Sequence, residues 1–180
     1  MADLKGTKTE KNLMEAFIGE SQARNKYSYF AARAKKDGYD QIGVIFEETA
    51  GNEKEHALIW YKFLCGGDIP DTAANLKTAA EGEHKEWSEM YSRMAAEAQE
   101  EGFNEIAALF ESVGKIEKKH EDRYLMLLRF LETKKEPEKR EKSVWICSSC
   151  GHIVDSENAP ETCPVCGHPK SSFQRRVISY

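Results

Sequence analysis

The stretch Glu53-Lys-Glu-His56 recurs 64 residues further along the chain as Glu117-Lys-Lys-His120. Positions i and i+3 of an α-helix lie on one face about one turn apart, so each copy places a carboxylate beside an imidazole. A single Glu-x-x-His arises by chance in many charged helices. Two copies at equivalent positions indicate a metal site, with the oxygen and imidazole ligands that suit iron.

The repeat extends outward from these motifs over a pair of helices. Apolar residues spaced three and four apart predict four amphipathic helices, and helix breakers separate them. We therefore expect an antiparallel four-helix bundle. The predicted helices span residues 8–38, 40–65, 72–101 and 103–135. The residues that the shift of 64 superimposes are Tyr27 and Tyr91, Gly38 and Gly102, Ile42 and Ile106, Phe46 and Phe110, and Glu47 and Glu111.

The remaining two helices offer further carboxylates. Di-iron bundles of the carboxylate class combine two Glu-x-x-His helices with one inward Glu from each of the other two, here Glu20 and Glu83. Glu20 precedes Tyr27 by seven residues, whereas Glu83 precedes Tyr91 by eight. The extra residue predicts a π-bulge in the third helix.

Carboxylates that are buried together repel one another and are costly to desolvate, so a cluster of them calls for cations. Glu86 would join such a cluster. The alternative is an acidic face in contact with solvent. We assign that role, and no function, to Glu55, Glu89, Glu97, Glu100 and Glu121.

The C-terminus carries a second metal motif. Cys147-Ser-Ser-Cys150 and Cys163-Pro-Val-Cys166 are two knuckles separated by 12 residues, and four thiolates suit tetrahedral zinc or iron. On the knuckles alone a structural zinc ribbon is favoured, but the neighbouring di-iron motifs favour iron. Val144 to Tyr180 is too short to fold on hydrophobic burial alone, so the metal must hold it together.

Three segments follow from this pattern: a di-iron bundle at 1–135, a charged linker at 136–143 and the four-cysteine domain at 144–180. His152 and His168 adjoin the knuckles, but four thiolates already fill a tetrahedral site. We expect both histidines to face solvent or to lie beside the ligands. Cys65 is interpreted as a buried thiol or a turn residue.

Composition limits the function classes. The net charge is −5, and the bundle segment up to Glu132 carries 18 basic against 25 acidic side chains, which argues against nucleic-acid binding. No apolar run approaches the roughly 20 residues that cross a bilayer, and the N-terminus is too polar for a secretory signal. Closely paired cysteines read as metal ligands in a reducing compartment, so we expect a cytoplasmic protein without membrane partners.

From about Lys11 to Tyr180 the chain resembles rubrerythrin, in which a ferritin-like di-iron bundle precedes a small rubredoxin-like domain of short β-strands and turns. The residues that carry the resemblance are Glu20-Ser-Gln-Ala-Arg-Asn-Lys-Tyr27, Glu53-Lys-Glu-His56, Glu83-His-Lys-Glu86, Glu117-Lys-Lys-His120 and the two knuckles.

The resemblance implies specific roles for residues. The di-iron ligands would be Glu20, Glu53, His56, Glu83, Glu86, Glu117 and His120, with Glu53 and Glu117 bridging. One iron is expected to exchange Glu86 for His56 on reduction, and Tyr27 and Tyr91 would hydrogen-bond to the carboxylates. A core-filling role for the two tyrosines is an equal alternative. Cys147, Cys150, Cys163 and Cys166 would hold one iron, or zinc on misloading.

The function that follows is a non-haem di-iron peroxidase, which reduces hydrogen peroxide to water in oxidative stress protection. Electrons would arrive through the four-cysteine iron from rubredoxin or its NADH-dependent reductase. The resemblance also implies a homodimer or larger assembly, with transfer from the tail of one chain to the bundle of another. The alternatives are an iron-storage protein with a structural zinc tail and a di-iron O₂ reductase.

Overall fold

The structure is a computed structural model that describes residues 3–134 and 142–178. The chain divides into two compact units, Met1–Pro70 and Asp71–Tyr180. Its helices and the small C-terminal sheet confirm the predicted fold class, mainly α with a short β domain. Most of the linker predicted at 136–143 falls outside the described residues, since 135–141 are not described, and the predicted domain boundaries stay predictions.

The first unit is a helical hairpin of α1 (Lys8–Lys36) and α2 (Asp40–Leu64). Helix α1 begins after Thr7, whose hydroxyl accepts a hydrogen bond from the Glu10 amide at 3.0 Å and so satisfies one of the free donors of the first turn. Small side chains are buried along the hairpin, so the two backbones can approach closely. These buried residues are Ala31, Ala34, Ala50 and Ala57.

The second unit begins with a helix of three parts. These are α3 (Thr72–Lys85), a π-helical segment (Glu86–Met90) and α4 (Tyr91–Glu100), and α5 (Asn104–Thr133) packs against all three. The π-bulge predicted from the one-residue slip is therefore confirmed, between Glu83 and Tyr91. Asp71 caps α3 by accepting from the Ala74 amide at 2.9 Å.

The turns of the two hairpins have the same backbone conformation and equivalent hydrogen bonds. Gly38 and Gly102 both end a helix with positive φ, 86° and 85°, a conformation that favours glycine. The next residue in each hairpin donates a backbone hydrogen bond of 2.8 Å to the helix, from Tyr39 to Ala34 and from Phe103 to Ala98. Cys65 follows α2 directly and is half-buried, as predicted for a turn residue.

The C-terminal part of the second unit is a three-stranded antiparallel sheet. Its strands are β1 (Lys142–Cys147), β2 (Ile153–Val154) and β3 (Phe173–Ile178), in the order β2-β1-β3. A 3₁₀ turn (Lys170–Ser172) precedes β3. The core of this piece is small and includes two of the cysteines. Its buried members are Cys147, Ala159, Cys163 and Phe173.

Candidate metal centres

The first hairpin brings together one Glu from α1 and the Glu-x-x-His pair of α2. His56 Nδ1 lies 2.8 Å from Glu53 Oε2 and 3.8 Å from Glu20 Oε2. One potential ligand atom from each of the three side chains lies within 4.8 Å of the others. The arrangement is the half of a carboxylate-histidine site that the sequence predicts for this hairpin.

The second hairpin repeats this geometry with residues of α3 and α5. His120 Nδ1 lies 2.8 Å from Glu117 Oε2 and 3.7 Å from Glu83 Oε1, and the ligand atoms again lie within 4.8 Å of one another. Glu83 is thus the structural equivalent of Glu20, although the shift of 64 would superimpose His84 on Glu20. The π-helical segment accounts for this difference.

The carboxylates of the second hairpin are held where a negative charge is costly. Burial raises the pKa of Glu83, and the neighbouring Glu117 carboxylate raises it further. Burial and the Glu83 charge raise the pKa of Glu86, and burial and the Glu86 charge raise that of Glu117. A bound cation would remove this repulsion, and the oxygen and imidazole donors fit iron.

The two predicted tyrosines occupy equivalent positions beside aromatic rings. Tyr27 and Phe46 have ring centroids 6.0 Å apart, and Tyr91 and Phe110 have the same separation. Burial raises the pKa of the Tyr91 hydroxyl, and the Glu117, Glu86 and Glu83 charges raise it further. Tyr91 therefore lies near the acidic cluster, while a hydrogen bond from either tyrosine to a carboxylate stays a prediction.

Glu121 differs from its predicted role as a solvent-exposed charge. Its side chain is only 14 % exposed, and it accepts hydrogen bonds from Trp87 Nε1 at 2.5 Å and pairs with His84 Nδ1 at 2.9 Å. These contacts tie the third helix to α5 at the π-helical segment. The only sequence signal was that Glu121 directly follows the predicted ligand His120.

The four cysteines form the second candidate centre. Cys147 Sγ lies 3.7 Å from Cys166 Sγ, and Cys150 Sγ lies 3.6 Å from Cys163 Sγ. A tetrahedron of sulfurs about 2.3 Å from a metal has edges of about 3.8 Å, so these two separations match the edges of a tetrahedral site. All four sulfurs lie within 4.8 Å of one another. The two knuckles match each other, since the amides of Cys147 and Cys163 donate to the carbonyls of His152 and His168 at 2.9 and 2.8 Å.

Backbone amides prepare this cluster for a cation. Burial opposes ionisation of Cys147, but hydrogen bonds from the Cys150 and Ser149 amides outweigh it and lower its pKa to about 7. Burial raises the pKa of Cys150 and of Cys166. His168 lies beside a ligand as predicted, with Nδ1 3.2 Å from Cys166 Sγ. His152 is half-buried, and burial lowers its pKa.

Two carboxylate-histidine groups on helical hairpins, followed by a cluster of four cysteine thiolates from two knuckles, define a class of non-haem iron proteins. Comparison with known proteins identifies the family within that class. The family model for rubrerythrin matches residues 11–128, and the model for the rubredoxin-like domain of rubrerythrin matches residues 145–174. The chain belongs to the rubrerythrin family.

Individual relatives match along almost their whole length. The chain is 46 % identical to rubrerythrin of Porphyromonas gingivalis, with 98 % of this chain and 94 % of the relative covered. It is 46 % identical to rubrerythrin of Nitratidesulfovibrio vulgaris, with both chains fully covered. It is 45 % identical to rubrerythrin-1 of Clostridium acetobutylicum, with 97 % of each chain covered.

Family membership confirms the predicted cofactors. These are a di-iron centre held by Glu and His side chains and one iron in a rubredoxin-like site of four cysteines. The family is oxidoreductase-like, and a rubredoxin-like domain implies a partner that donates electrons. Within residues 3–134 and 142–178, no helix is long and apolar enough to cross a membrane.

Proposed function

We propose that this protein reduces hydrogen peroxide to water, with electrons relayed through the four-cysteine iron. The overall reaction takes two electrons and two protons and converts one peroxide into two waters. The iron pair, when bound, supplies the two electrons and the Lewis acidity that polarises the O–O bond. The protein residues hold the ligands in position and supply the protons.

The observation that carries the proposal is the Glu86 carboxylate on the π-helical segment. A six-ligand bundle site needs two Glu-x-x-His pairs and two further Glu, and Glu20 and Glu83 already fill those two places. Glu86 is an additional carboxylate, half-buried and close enough to Glu83 and His120 for their charges to affect it. A seventh ligand, which is the fifth carboxylate of the set, supports redox chemistry over simple iron storage, because it can bind the iron in one oxidation state and be released in another.

The raised pKa of Glu86 suits it to a second task. A carboxyl group with a pKa nearer neutrality holds and releases a proton more readily at physiological pH. We propose that Glu86 delivers a proton to a peroxide oxygen when the Glu86 carboxylate is not bound to iron. Rubredoxin or an NADH-dependent rubredoxin reductase is the proposed electron donor. The proposed di-iron ligands are Glu20, Glu53, His56, Glu83, Glu86, Glu117 and His120.

The proposal is tested with iron-loaded protein, NADH and a rubredoxin reductase under anaerobic conditions. We expect peroxide to be consumed at one NADH per peroxide, and Glu86→Ala to depress that turnover by about 100-fold or more. Glu89→Ala is the matched control, since Glu89 lies on the same segment and is exposed.

Three results would count against the proposal. Tail zinc in protein from its native source, together with no peroxide consumption, would favour an iron-storage protein. Faster NADH oxidation with O₂ than with peroxide would favour an O₂ reductase. Equal turnover of the Glu86→Ala and Glu89→Ala variants would remove Glu86 from the mechanism.

A further inference from the structure

The indole of Trp87 lies between two opposite charges of helix α5. Its Nε1 donates a hydrogen bond of 2.5 Å to Glu121 Oε2, and Lys118 Nζ lies 4.3 Å from the centre of its ring. His84 Nδ1 lies 2.9 Å from the other oxygen of Glu121 and so helps to fix the carboxylate in place. The indole therefore has a carboxylate at its N–H and an ammonium group over its face.

The two charges act in opposite directions on the oxidation of this indole. Loss of an electron leaves a positive ring, which a nearby carboxylate stabilises and a nearby ammonium group destabilises. The Glu121 side chain is 14 % exposed, whereas Lys118 is exposed, so solvent screens the ammonium group more strongly. Glu121 also contacts the indole N–H directly. The carboxylate therefore has the larger effect, and the site favours loss of an electron from Trp87.

The other two tryptophans lack such a partner. Trp60 Nε1 is buried and has no hydrogen-bond partner among the described residues. Trp145 Nε1 lies 3.4 Å from the carbonyl oxygen of Glu157, which is a long contact with a neutral acceptor. A hydrogen bond to a charged acceptor is stronger than one to a neutral acceptor. Trp87 is thus the tryptophan whose oxidised form is best stabilised.

Trp87 is also close to the proposed di-iron ligands. It follows Glu86 directly in the chain, and its hydrogen-bond acceptor Glu121 directly follows His120. Helix α5 approaches the Trp87 backbone closely, since a β-carbon added to the buried Gly114 would lie 4.0 Å from Trp87 Cα. Two short paths therefore join the indole to the ligand set, one through the peptide bond to Glu86 and one through Glu121 to His120.

Under the proposed function the di-iron centre is refilled one electron at a time. Reduction of peroxide to water takes two electrons, whereas the single iron of the four-cysteine site carries one. Each refilling of the di-iron centre therefore passes through a stage at which it holds one electron. Peroxide that arrives at this stage is one electron short of reduction to water.

We propose that Trp87 supplies the missing electron and is a site of oxidation in this protein. The inference rests on the proposed function for the stage at which Trp87 acts. The O–O bond breaks as peroxide takes two protons, one electron from the iron pair and one from the indole, and two waters form. The indole becomes a radical cation, and its N–H proton stays in the hydrogen bond to Glu121.

The supply of further electrons decides the fate of the oxidised indole. The next electron from the reduced four-cysteine iron restores Trp87. Without that electron, water adds to the ring, two protons leave, and the oxidised iron pair takes the second electron. The product is hydroxytryptophan, and the iron pair again holds one electron, so the net reaction converts one peroxide and Trp87 into one water and the hydroxylated residue.

The test detects the oxidised residue directly. Full-length, iron-loaded protein is partly reduced with NADH and a rubredoxin reductase under anaerobic conditions, mixed with excess peroxide and digested for mass spectrometry. We expect hydroxytryptophan at Trp87 at about ten times the level at Trp60 or Trp145. A continuous supply of NADH should lower this yield, because the four-cysteine iron restores the indole. Zinc-loaded protein should form no hydroxytryptophan at Trp87.

A second measurement detects the radical itself. Electron paramagnetic resonance of samples frozen during the reaction should show an indole radical in the wild-type protein. The signal should vanish in Trp87→Phe and remain in the matched control Trp60→Phe. A signal that survives in Trp87→Phe would assign the radical to another residue and overturn the inference.

The two charges beside the indole provide variants with opposite expected effects. Glu121→Gln keeps an acceptor for the indole N–H but removes the charge, and should lower the hydroxytryptophan yield at Trp87 about tenfold. Lys118→Met removes the ammonium group and should raise the yield about two- to fivefold. Lys119→Met, at the neighbouring exposed lysine, should leave it unchanged. A packing defect would move both yields in the same direction, so opposite changes identify the charges as the cause.

The remaining outcomes separate the inference from the proposed function. Equal oxidation of the three tryptophans, oxidation of Tyr91 in place of Trp87, or an unchanged yield in Glu121→Gln would each overturn the inference. If NADH-dependent turnover of peroxide is absent but Trp87 is oxidised with the expected variant effects, the peroxidase proposal fails and Trp87 stands as an oxidation site. If turnover is normal and Trp87 is not oxidised preferentially, the peroxidase proposal stands and the inference fails.

Discussion

The two helical hairpins share a plan and differ at one turn of helix. In both, a Glu and a His one turn apart are 2.8 Å from each other. Only the second hairpin contains the π-helical segment Glu86–Met90. Neither possible register gives Glu86 a carboxylate counterpart, since Gln22 and Ala23 stand at the equivalent positions of α1. One inserted residue therefore accompanies an additional acid near the carboxylate-histidine group of the second hairpin.

Packing and chemistry have separate origins in the two hairpins. The turn glycines and the aromatic pairs are the same in both hairpins, so a common packing scheme accounts for them. Among the described residues, the second hairpin alone has Glu86, the largely covered Glu121 and the close approach of Gly151 to His120. Under the proposed function Glu86 serves the redox reaction, while Glu121 holds the π-helical segment against α5.

The largest effect is expected from deleting Ser88, which restores the helical register of the first hairpin. Peroxide turnover should fall about 100-fold or more because Glu86 rotates away from the cluster, as for loss of a proton donor. Turnover and iron content of the purified variant measure this. Ser88→Ala keeps the chain length and should retain activity. Normal turnover of the deletion variant would show that the π-helical segment is dispensable.

The equivalence of the two Glu-x-x-His pairs is tested next, with Glu53→Gln and Glu117→Gln. Each change removes one negative oxygen while keeping the side-chain shape. We expect the affinity for iron to fall about 10- to 100-fold in each variant, by similar factors. Titration of the metal-free bundle with ferrous ion, after the four-cysteine site is filled, gives both values. A loss in one variant alone would show that the hairpins contribute unequally.

A smaller effect on stability is expected from Glu121→Ala, which gives the second hairpin the residue that Ala57 provides in the first. The change leaves Trp87 Nε1 and His84 Nδ1 without their partner. The free energy of unfolding in urea should fall by about 1–3 kcal/mol. Glu55→Ala, at an exposed position, should change it by less than about 0.5 kcal/mol. Equal values for the two variants would contradict a structural role for Glu121.

The smallest effect is expected in the pH dependence of the stability of the metal-free protein. The pKa of Glu83 and of Glu117 is raised in the folded state, first by burial. Their contribution to stability is therefore fully present below the ordinary carboxyl pKa and is lost as the pH rises through the raised values. The melting temperature should fall over that interval, and less so in Glu117→Gln. Glu89→Gln, which changes an exposed carboxylate, should follow the wild-type curve.

Much of this architecture could be predicted from residue spacing. The turn glycines and apolar periodicity gave helix ends within three residues of those observed, and the distances from Glu20 to Tyr27 and from Glu83 to Tyr91 predicted the π-helical segment. The knuckle spacing likewise predicted the four-cysteine cluster. These features depend on local backbone geometry, which the sequence determines directly.

Other features depended on contacts between distant segments and were missed. Glu121 has charged neighbours in sequence, and its burial comes from Trp87 and His84 on another helix. Gly151 looks the same as Gly167 in its motif, and only the packing of the tail on α5 distinguishes them. Sequence spacing reports which residues share a face, but it does not report what covers that face.

The matching turns at Gly38 and Gly102 have one more consequence. Before the π-helical segment the two hairpins correspond with an offset of 63 residues, as Glu20 and Glu83 show, and after it with an offset of 64. Each helical residue advances the side-chain direction by about 100°. The π-helical segment therefore rotates the side chains of α3, including Glu83, by about 100° relative to an uninterrupted helix. Helix α4, which leads into the turn at Gly102, keeps the register of the corresponding part of α1.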